Sequence, residues 1–224
     1  MKLLKQKTQL KIQINKKHLP PRHHTLLPNE IRCAVIGPSF CGKSSIVIGL
    51  LEHPNGVKFQ NVYVCAKTLH QPEYQRLAKI VKSISGMNFY GYMSIHDFPD
   101  YEDIQPYSVC IFDDLGCAVE QNGIRNIFSY GRHKKLSSFY ITQSYCKMPK
   151  HLLRDNLNML ILFKMDVKNL KHAYIEYASA DLTFQQFMKM CKLAWAKPCG
   201  FLVIAPESTN GGRYRLGFDQ FFKL

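Results

Sequence analysis

The 224-residue sequence lacks several features that would assign it to a familiar class. No apolar run approaches the roughly 18 residues that a membrane-spanning helix requires, so we expect no membrane partner. The eight cysteines are scattered singly without a C-x-x-C pair, which argues against a zinc site and favours reduced thiols. Residues 1–17 are basic but contain no continuous apolar segment, so they do not have the pattern of a secretory signal.

Acidic side chains are also scarce. Only 16 Asp and Glu stand against 30 Lys and Arg, which gives a formal net charge of +14. Residues 1–30 alone carry seven Lys or Arg and one acid. This excess predicts a polyanionic partner, nucleic acid first, although a solvated surface that only keeps the chain soluble is the alternative.

The pattern along the chain predicts two parts. Residues 1–28, with charge and the proline-containing segment "LPPRHH", form an expected basic arm, and residues 29–224 form one domain. Short apolar segments predict strands at Ile31–Gly37, Asn61–Lys67, Ser108–Asp114, Phe139–Gln143, Met159–Lys164, Phe201–Ala205 and Arg213–Gly217. Helices are predicted at Lys43–Leu51, Pro72–Ile84, Gly123–Arg132, Asn169–Ala178 and Thr183–Ala194, with a short turn near Lys150–Leu153. This alternation predicts a three-layer α/β domain with a mainly parallel central sheet and a C-terminal hairpin.

One loop has the pattern of a phosphate-binding site. The segment "GPSFCGKSS" matches G-x-x-x-x-G-K-[ST], and it stands between a predicted strand and a predicted helix. Gly37 and Gly42 would let the backbone curl so that its N–H groups face the phosphates of ATP. Lys43 would reach the β- and γ-phosphates, and Ser44 would bind Mg²⁺. The remaining loop residues of the predicted nucleotide site are Pro38, Ser39, Phe40, Cys41 and Ser45; an ordinary glycine-rich turn is the alternative.

A second motif places two carboxylates at the end of a predicted strand. "SVCIFDD" ends in Asp113 and Asp114, at the carboxyl edge of the sheet where ligands of such folds bind. We expect Asp113 to hold Mg²⁺ opposite Ser44 and Asp114 to orient and deprotonate the attacking water. Doubled carboxylates that only cap the following segment are the alternative.

Further polar residues narrow the class of nucleotide-dependent protein. Gln143 ends a strand that should neighbour the Asp113 strand, where an amide can contact both the γ-phosphate and the water. Arg132 and Arg154 are candidates for an arginine finger that a neighbouring subunit supplies. The guanine-reading N-K-x-D motif, the L-S-G-G-Q transporter signature and the protein-kinase motifs are missing from the sequence.

The segments "GPSFCGKSS", "CIFDD", "GRHKKLSSFYITQSY" and "LLRDNLNMLILFK" together resemble the genome-packaging ATPases of poxviruses and, more closely, of Polinton-type elements. These ATPases belong to the FtsK/HerA superfamily. The resemblance implies a RecA-like core, a homo-oligomeric ring, and ATP-driven movement of double-stranded DNA into a capsid. It assigns Lys43 and Ser44 to nucleotide and Mg²⁺, Asp113 and Asp114 to the acidic motif, and Gln143 to a sensor, with Arg132 favoured over Arg154 as the finger. In two respects the sequence departs: many members have Glu where Asp114 stands, and Phe40 and Cys41 are bulky for this loop.

The resemblance also suggests partners and a setting. We expect the basic loops "GRHKK" (131–135) and "CKMPKH" (146–151) to lie near the ATP edge and contact DNA phosphates, although they could be solvated charge runs. The arm could bind DNA or capsid proteins. The expected location is the nucleus or cytoplasm of a host cell, at a virus factory, or the virion. Two other functions remain open: a nucleotide-dependent DNA-binding or assembly factor of a mobile element, and a P-loop nucleic-acid kinase.

Overall fold

The structure is a computed structural model that describes residues 21–115, 122–146, 148, 154–208 and 212–223. Its strands are β1 (Arg32–Ile36), β2 (Asn61–Ala66), β3 (Asn88–Tyr92), β4 (Ser108–Asp113), β5 (Ser137–Thr142), β6 (Met159–Phe163), β7 (Phe201–Ile204), β8 (Tyr214–Leu216) and β9 (Gln220–Phe221). Its α-helices are α1 (Lys43–Glu52), α2 (Pro72–Ser83), α3 (Asn122–Tyr130), α4 (Val167–Tyr177) and α5 (Phe184–Ala194).

All nine strands belong to one sheet in the order β3-β2-β4-β5-β1-β6-β7-β8-β9. The first six strands in this order pair in parallel, and β7, β8 and β9 follow as antiparallel neighbours. The mainly parallel sheet and the C-terminal hairpin are therefore confirmed. Because parallel strands run the same way, the ends of β1, β4 and β5 meet at one carboxyl edge of the sheet.

Helices cover both faces of this sheet. In β1, Ala34 and Ile36 pack into a core that contains buried residues of α3, α4 and α5, whereas Cys33 and Val35 pack into a core with α1 and α2. Successive side chains of a strand point to opposite faces, so one strand serves both cores. The predicted three-layer α/β architecture is confirmed.

Two strands were not predicted. Strand β3 lies at one edge of the sheet and its side chains are exposed or half-buried, so it lacks the continuous apolar run of a central strand. Strand β9 has only two residues. Sequence patterns that select buried strands cannot detect elements of these two kinds.

The predicted helices are found within about two residues of their bounds, apart from one change of form. After Tyr130 the helix α3 gives way to a 3₁₀-helix, Gly131–Lys134, which ends at Lys135 with a left-handed backbone. The turn predicted near residues 150–153 lies outside the described residues. None of the described helices has the length and apolar content to cross a bilayer.

Residues 21–28, the last eight of the predicted arm, contact the domain. Arg22 donates to the backbone carbonyl of Lys58 over 2.8 Å, and its guanidinium lies 5.3 Å from the ring centroid of Tyr107. His23 and Leu27 are buried. These contacts lie at the amino edge of the sheet, because Tyr107 directly precedes β4. The rest of the arm lies outside the described residues, and its function stays a prediction.

Candidate nucleotide site

The loop between β1 and α1 has the compact form that phosphate binding requires. Gly37 directly follows β1, and its N–H donates to the carbonyl of Thr142 at the end of β5 over 3.2 Å. A Cβ atom on Gly37 would lie 2.6 Å from the Cβ of Phe163, so no larger residue fits there. Gly42 has a φ of 100° and directly precedes α1, a conformation that glycine adopts without strain. The loop therefore turns tightly into the N-terminus of a helix, where the helix dipole favours anions.

Lys43 extends back over the loop that precedes it. Its Nζ atom donates to the carbonyls of Gly37 and Pro38 over 2.8 and 2.7 Å. Both acceptors are neutral and belong to the loop itself, so the ammonium charge has no carboxylate partner among the described residues. Apart from a longer-range attraction to Asp113, the ammonium has only neutral acceptors, and such a cation on this loop suits a polyphosphate.

Ser44 and Asp113 meet at the carboxyl edge. The Ser44 hydroxyl donates to Oδ2 of Asp113 over 2.8 Å, and the Tyr74 hydroxyl donates to the same oxygen over 2.5 Å. Asp113 is 8% exposed, and burial raises the pKa of its carboxyl, while the two hydroxyl hydrogen bonds act in the opposite direction. The predicted partners Ser44 and Asp113 are thus brought together, with Asp113 held on the side of α2 by a residue that sequence reasoning missed.

That missed residue is Tyr74, which is buried in α2. In the sequence it is one aromatic on the apolar face of a helix, which indicates a core residue. The pKa of its hydroxyl is raised, first by burial and then by the Asp113 charge, so the hydroxyl stays a donor. No sequence pattern distinguishes a core tyrosine from one that orients a carboxylate, because the difference depends on the packing of α2 against β4.

Asp114 is exposed and lines the open cleft. Its φ of 49° turns the chain out of β4, and its N–H donates to the carbonyl of Ile141 over 3.1 Å. The side-chain amide of Gln143 donates to Oδ2 of Asp114 over 3.1 Å. Because β4 and β5 are neighbours, as predicted, the sheet places this amide beside the second carboxylate. The two acids therefore have different surroundings. Asp113 is buried and accepts hydrogen bonds from two hydroxyls, whereas Asp114 is exposed and accepts one from an amide.

These groups line one cleft of about 430 Å³, a size typical of small-ligand sites. The lining residues are Ser39, Phe40, Gly42, Lys43, Ser44, Ser45, Thr68, Gln71, Pro72, Glu73, Asp113, Asp114, Thr142 and Gln143. Three predicted loop residues, Gly37, Pro38 and Cys41, do not appear in this lining. Cys41 is half-buried and packs against the core that contains α1 and α2, and this burial raises the pKa of its thiol.

Neither candidate finger lies at the phosphate loop of its own chain. Arg132 is exposed in the 3₁₀-helix before β5, at the amino edge, where the carbonyl of Lys134 accepts from the N–H of Tyr107 over 3.0 Å. The expectation that "GRHKK" lies near the ATP edge is therefore wrong. The segment leads into β5, and the parallel strands begin at the edge of the sheet opposite the cleft. Of the other basic loop, residues 147 and 149–151 lie outside the described residues.

Arg154 is engaged within its own chain. Its Nη1 atom donates to Oε1 of Glu176 over 2.6 Å, and its guanidinium lies 5.1 Å from the ring centroid of Tyr145. The side chain is only 13% exposed. These contacts indicate that Arg154 holds α4 against the segment after β5, whereas Arg132 is free to approach another molecule.

The strand order, the glycine loop after β1 and the carboxylates after β4 define the fold as that of a RecA-like P-loop NTPase. Among solved structures, the chain is similar to the genome packaging NTPase B204 from Sulfolobus turreted icosahedral virus 2 in complex with AMP. The TM-score is 0.58 at 17% identity, covering 82% of this chain and 96% of that chain.

Two further solved structures are similar in fold to this chain. The complex of the same NTPase with ATP-gammaS gives a TM-score of 0.55 at 16% identity, covering 82% of this chain and 96% of that one. B204, the DNA-packaging ATPase from Sulfolobus turreted icosahedral virus, gives 0.55 at 17% identity, covering 82% and 95%. No family model and no curated protein matches the chain. At these identities the likeness concerns the fold.

Proposed function

We propose that this protein is an ATP-driven translocase that packages double-stranded DNA of a virus or virus-like element into a capsid. One observation carries the ATPase part: the pairs Ser44–Asp113 and Gln143–Asp114 converge beside the Gly37–Ser45 loop at one edge of the sheet. The similarity of the fold to a genome packaging NTPase, and the resemblance of the motifs to poxvirus and Polinton-type packaging ATPases, support the rest.

The residues present fit the Mg²⁺ complex of ATP. A serine hydroxyl and a carboxylate oxygen 2.8 Å apart are the hard oxygen donors that Mg²⁺ prefers, so Ser44 and Asp113 would hold the ion. When bound, the ion supplies positive charge that stabilises the β- and γ-phosphate oxygens. Lys43, whose ammonium now lies on two loop carbonyls, would exchange these neutral acceptors for phosphate oxygens, which form stronger charge-assisted bonds.

The exposed acid would act on water. Asp114 faces the cleft, so its carboxylate can orient a water molecule and accept its proton. Gln143 donates to this carboxylate through its amide nitrogen, which leaves the amide oxygen to accept from the same water. Loss of the γ-phosphate would change the partners of Gln143, and the amide would then transmit hydrolysis to β5.

The proposed motor is a homo-oligomeric ring. Arg132 lies at the edge of the sheet opposite its own phosphate loop, so it can act as a finger only on the ATP of a neighbouring subunit. Mixing Arg132→Ala with Lys43→Ala subunits tests this arrangement. Each variant alone should be inactive, and some activity should return in the mixture, because one kind of interface regains both halves of the site. A mixture as inactive as its components contradicts the proposal.

A basic face offers a surface for the DNA backbone. We define this basic face as Lys168 and Lys171 of α4 with Lys189 and Lys192 of α5, all exposed. Among the described residues none of these lysines forms an ion pair, while the nearby acid Glu176 is paired with Arg154. Unpaired cations on adjacent helices attract phosphates without reading bases, as a translocase requires.

ATP turnover with and without duplex DNA tests the proposed function. The proposal expects Mg²⁺-dependent hydrolysis that double-stranded DNA of any sequence stimulates. Phosphorylation of a nucleic-acid end would instead indicate a kinase, and DNA binding without turnover would indicate an assembly factor. The proposed setting follows from the function: the site of capsid filling in the nucleus or cytoplasm of a host cell, or the virion, with capsid proteins as partners.

A further inference from the structure

Phe40 is the most exposed large apolar residue among those that the structure describes. Its side chain is fully exposed, at 105%, whereas the other exposed large apolar side chains reach 37–63%. A lone aromatic that no part of its own fold covers loses the free energy that burial would provide. In the free chain the large Phe40 side chain therefore contributes no burial free energy to stability.

The backbone at Phe40 adds a second cost. Its φ of 62° lies in the left-handed region, which is unfavourable for a bulky residue and easy for glycine. Two other non-glycine residues in this region have side-chain contacts: Tyr107 lies beneath the guanidinium of Arg22, and Lys135 forms an ion pair with Glu30. Strain that the fold does not compensate is typical of residues that act on a ligand.

The position of Phe40 limits what that ligand can be. The residue lies three positions before Lys43 on the phosphate loop and is the one aromatic among the described residues that line the cleft. Phe40 is exposed and lines the cleft, so its ring can reach a base that extends from phosphates bound on the loop. The remaining lining is polar or small, so the Phe40 ring offers the flat apolar surface on which a base can stack.

We propose that the Phe40 ring stacks on the base of the bound nucleoside triphosphate and thereby positions the nucleoside half of the substrate. This inference rests on the proposed ATP-binding function. Stacking uses the π-face that every base presents, so Phe40 should favour nucleotides over free polyphosphate without selecting strongly among bases. The strained backbone is then retained because a smaller residue would lose this contact.

Binding of ATP and of inorganic tripolyphosphate, which has no base, separates the two halves of the site. Calorimetric titration should show that F40A weakens ATP binding about tenfold or more, while tripolyphosphate affinity changes less than about twofold. F40W, which keeps an aromatic face, should retain ATP affinity. Equal weakening of both ligands by F40A, or no weakening of either, would overturn the inference.

The control Lys43→Ala keeps the two proposals distinguishable. It removes the cation that binds phosphates, so ATP and tripolyphosphate affinities should fall together. If Lys43→Ala leaves both affinities unchanged, the proposed ATP site itself is wrong. If Lys43→Ala behaves as expected but F40A does not discriminate between the ligands, only the stacking role of Phe40 fails.

Thermal unfolding without ligand tests the strain. F40G should unfold at a higher temperature than F40A, because glycine accepts the φ of 62° without a Cβ clash, although both variants lose the base contact. F40G unfolding below F40A would contradict the strain argument. Sedimentation at the same concentrations tests whether the ring instead contacts another subunit. If F40A weakens self-association and leaves ATP affinity intact, the ring belongs to a subunit interface and the inference is wrong.

Discussion

At the carboxyl edge of the sheet polar side chains line an open cleft, whereas at the amino edge two polar side chains, His23 and Arg215, are buried and hydrogen-bond to the backbone of their own chain. Asp114 is exposed beside one amide, and the Phe40 side chain is fully exposed. At the opposite edge, Arg215 is 2% exposed and donates to the carbonyls of Gly212 and Leu26, while buried His23 accepts from the N–H of Lys58. Asp114 and Phe40 are thus accessible to a ligand, whereas His23 and Arg215 contribute to the stability of the fold.

This difference implies that substitutions at the two edges should have different consequences. A change at an exposed residue of the carboxyl edge, such as Asp114, removes few contacts of the folded chain, so it should alter hydrolysis and leave unfolding nearly unchanged. A change at the amino edge removes interactions of the folded chain, so it should alter stability first. The exception is Arg132, which is at the amino edge but is exposed and free to act on a neighbour.

The largest expected effect therefore belongs to Arg132→Ala. Removing a finger arginine should lower the turnover number by about a thousandfold, while ATP binding and assembly persist. Arg154→Ala is the matched variant: it breaks the 2.6 Å pair with Glu176 and should lower the unfolding temperature. Turnover and thermal unfolding measured on both variants decide the matter. An active Arg132→Ala beside a folded but inactive Arg154→Ala would transfer the finger role to Arg154.

The next largest effects are expected from substitutions of the two acids, Asp113 and Asp114, which have different proposed roles. Asp114→Asn should lower turnover by about a hundredfold or more with ATP still bound, since the amide keeps the shape but cannot accept a proton from water. Asp113→Asn should instead weaken Mg²⁺-dependent ATP binding, because a ligand oxygen of the ion becomes neutral. Titration of ATP with and without Mg²⁺ checks this, and equal losses of affinity in both variants would argue against it.

A smaller effect is expected on the basic face, away from both edges. Each Lys→Gln change at 168, 171, 189 or 192 should reduce the salt dependence of duplex binding by about one unit of slope. Lys79 and Lys82, exposed on α2 across the sheet, provide the matched control. Binding of two unrelated duplexes at several salt concentrations measures the slope. A control pair that lowers the slope as much would show that the charge acts without a defined surface.

The smallest expected effect is the contribution of His23, at the amino edge, to the pH dependence of stability. Burial lowers the pKa of His23 to about 4, because the charged imidazolium is disfavoured there. The unfolded chain takes up a proton near pH 6.5, whereas the folded chain does so only near pH 4, so stability should fall as the pH decreases between these values. Urea unfolding at several pH values should give a flatter profile for His23→Gln than for the native chain.

The success of sequence reasoning differs between the two edges for a physical reason. Gly37, Lys43 and Ser44 are recognisable because a phosphate site requires these residue types at fixed spacing on one short loop. The alternation of apolar segments similarly determines the layers and most strands. Such local patterns carry no information on where a loop lies in space, so "GRHKK" was placed at the wrong edge.

What the sequence did not reveal depends on contacts between distant segments. Tyr74 contacts Asp113 across 39 positions, and Arg215 donates to Leu26 across 189. In the sequence both look like ordinary helix or strand residues, because their partners are chosen only when the sheet assembles. Strand β3 was missed for a related reason: its exposed edge position weakens the apolar pattern that marks central strands.

Steady-state ATP turnover of the native chain and of Lys43→Ala, each with Mg²⁺ and duplex DNA, tests the central claim most directly. We expect the native chain to hydrolyse ATP faster when DNA is added, and Lys43→Ala, with its fold verified by thermal unfolding, to lose at least about a hundredfold in turnover. Equal turnover by the two proteins, or native turnover that duplex DNA leaves unchanged, would contradict a DNA-translocating ATPase at this cleft.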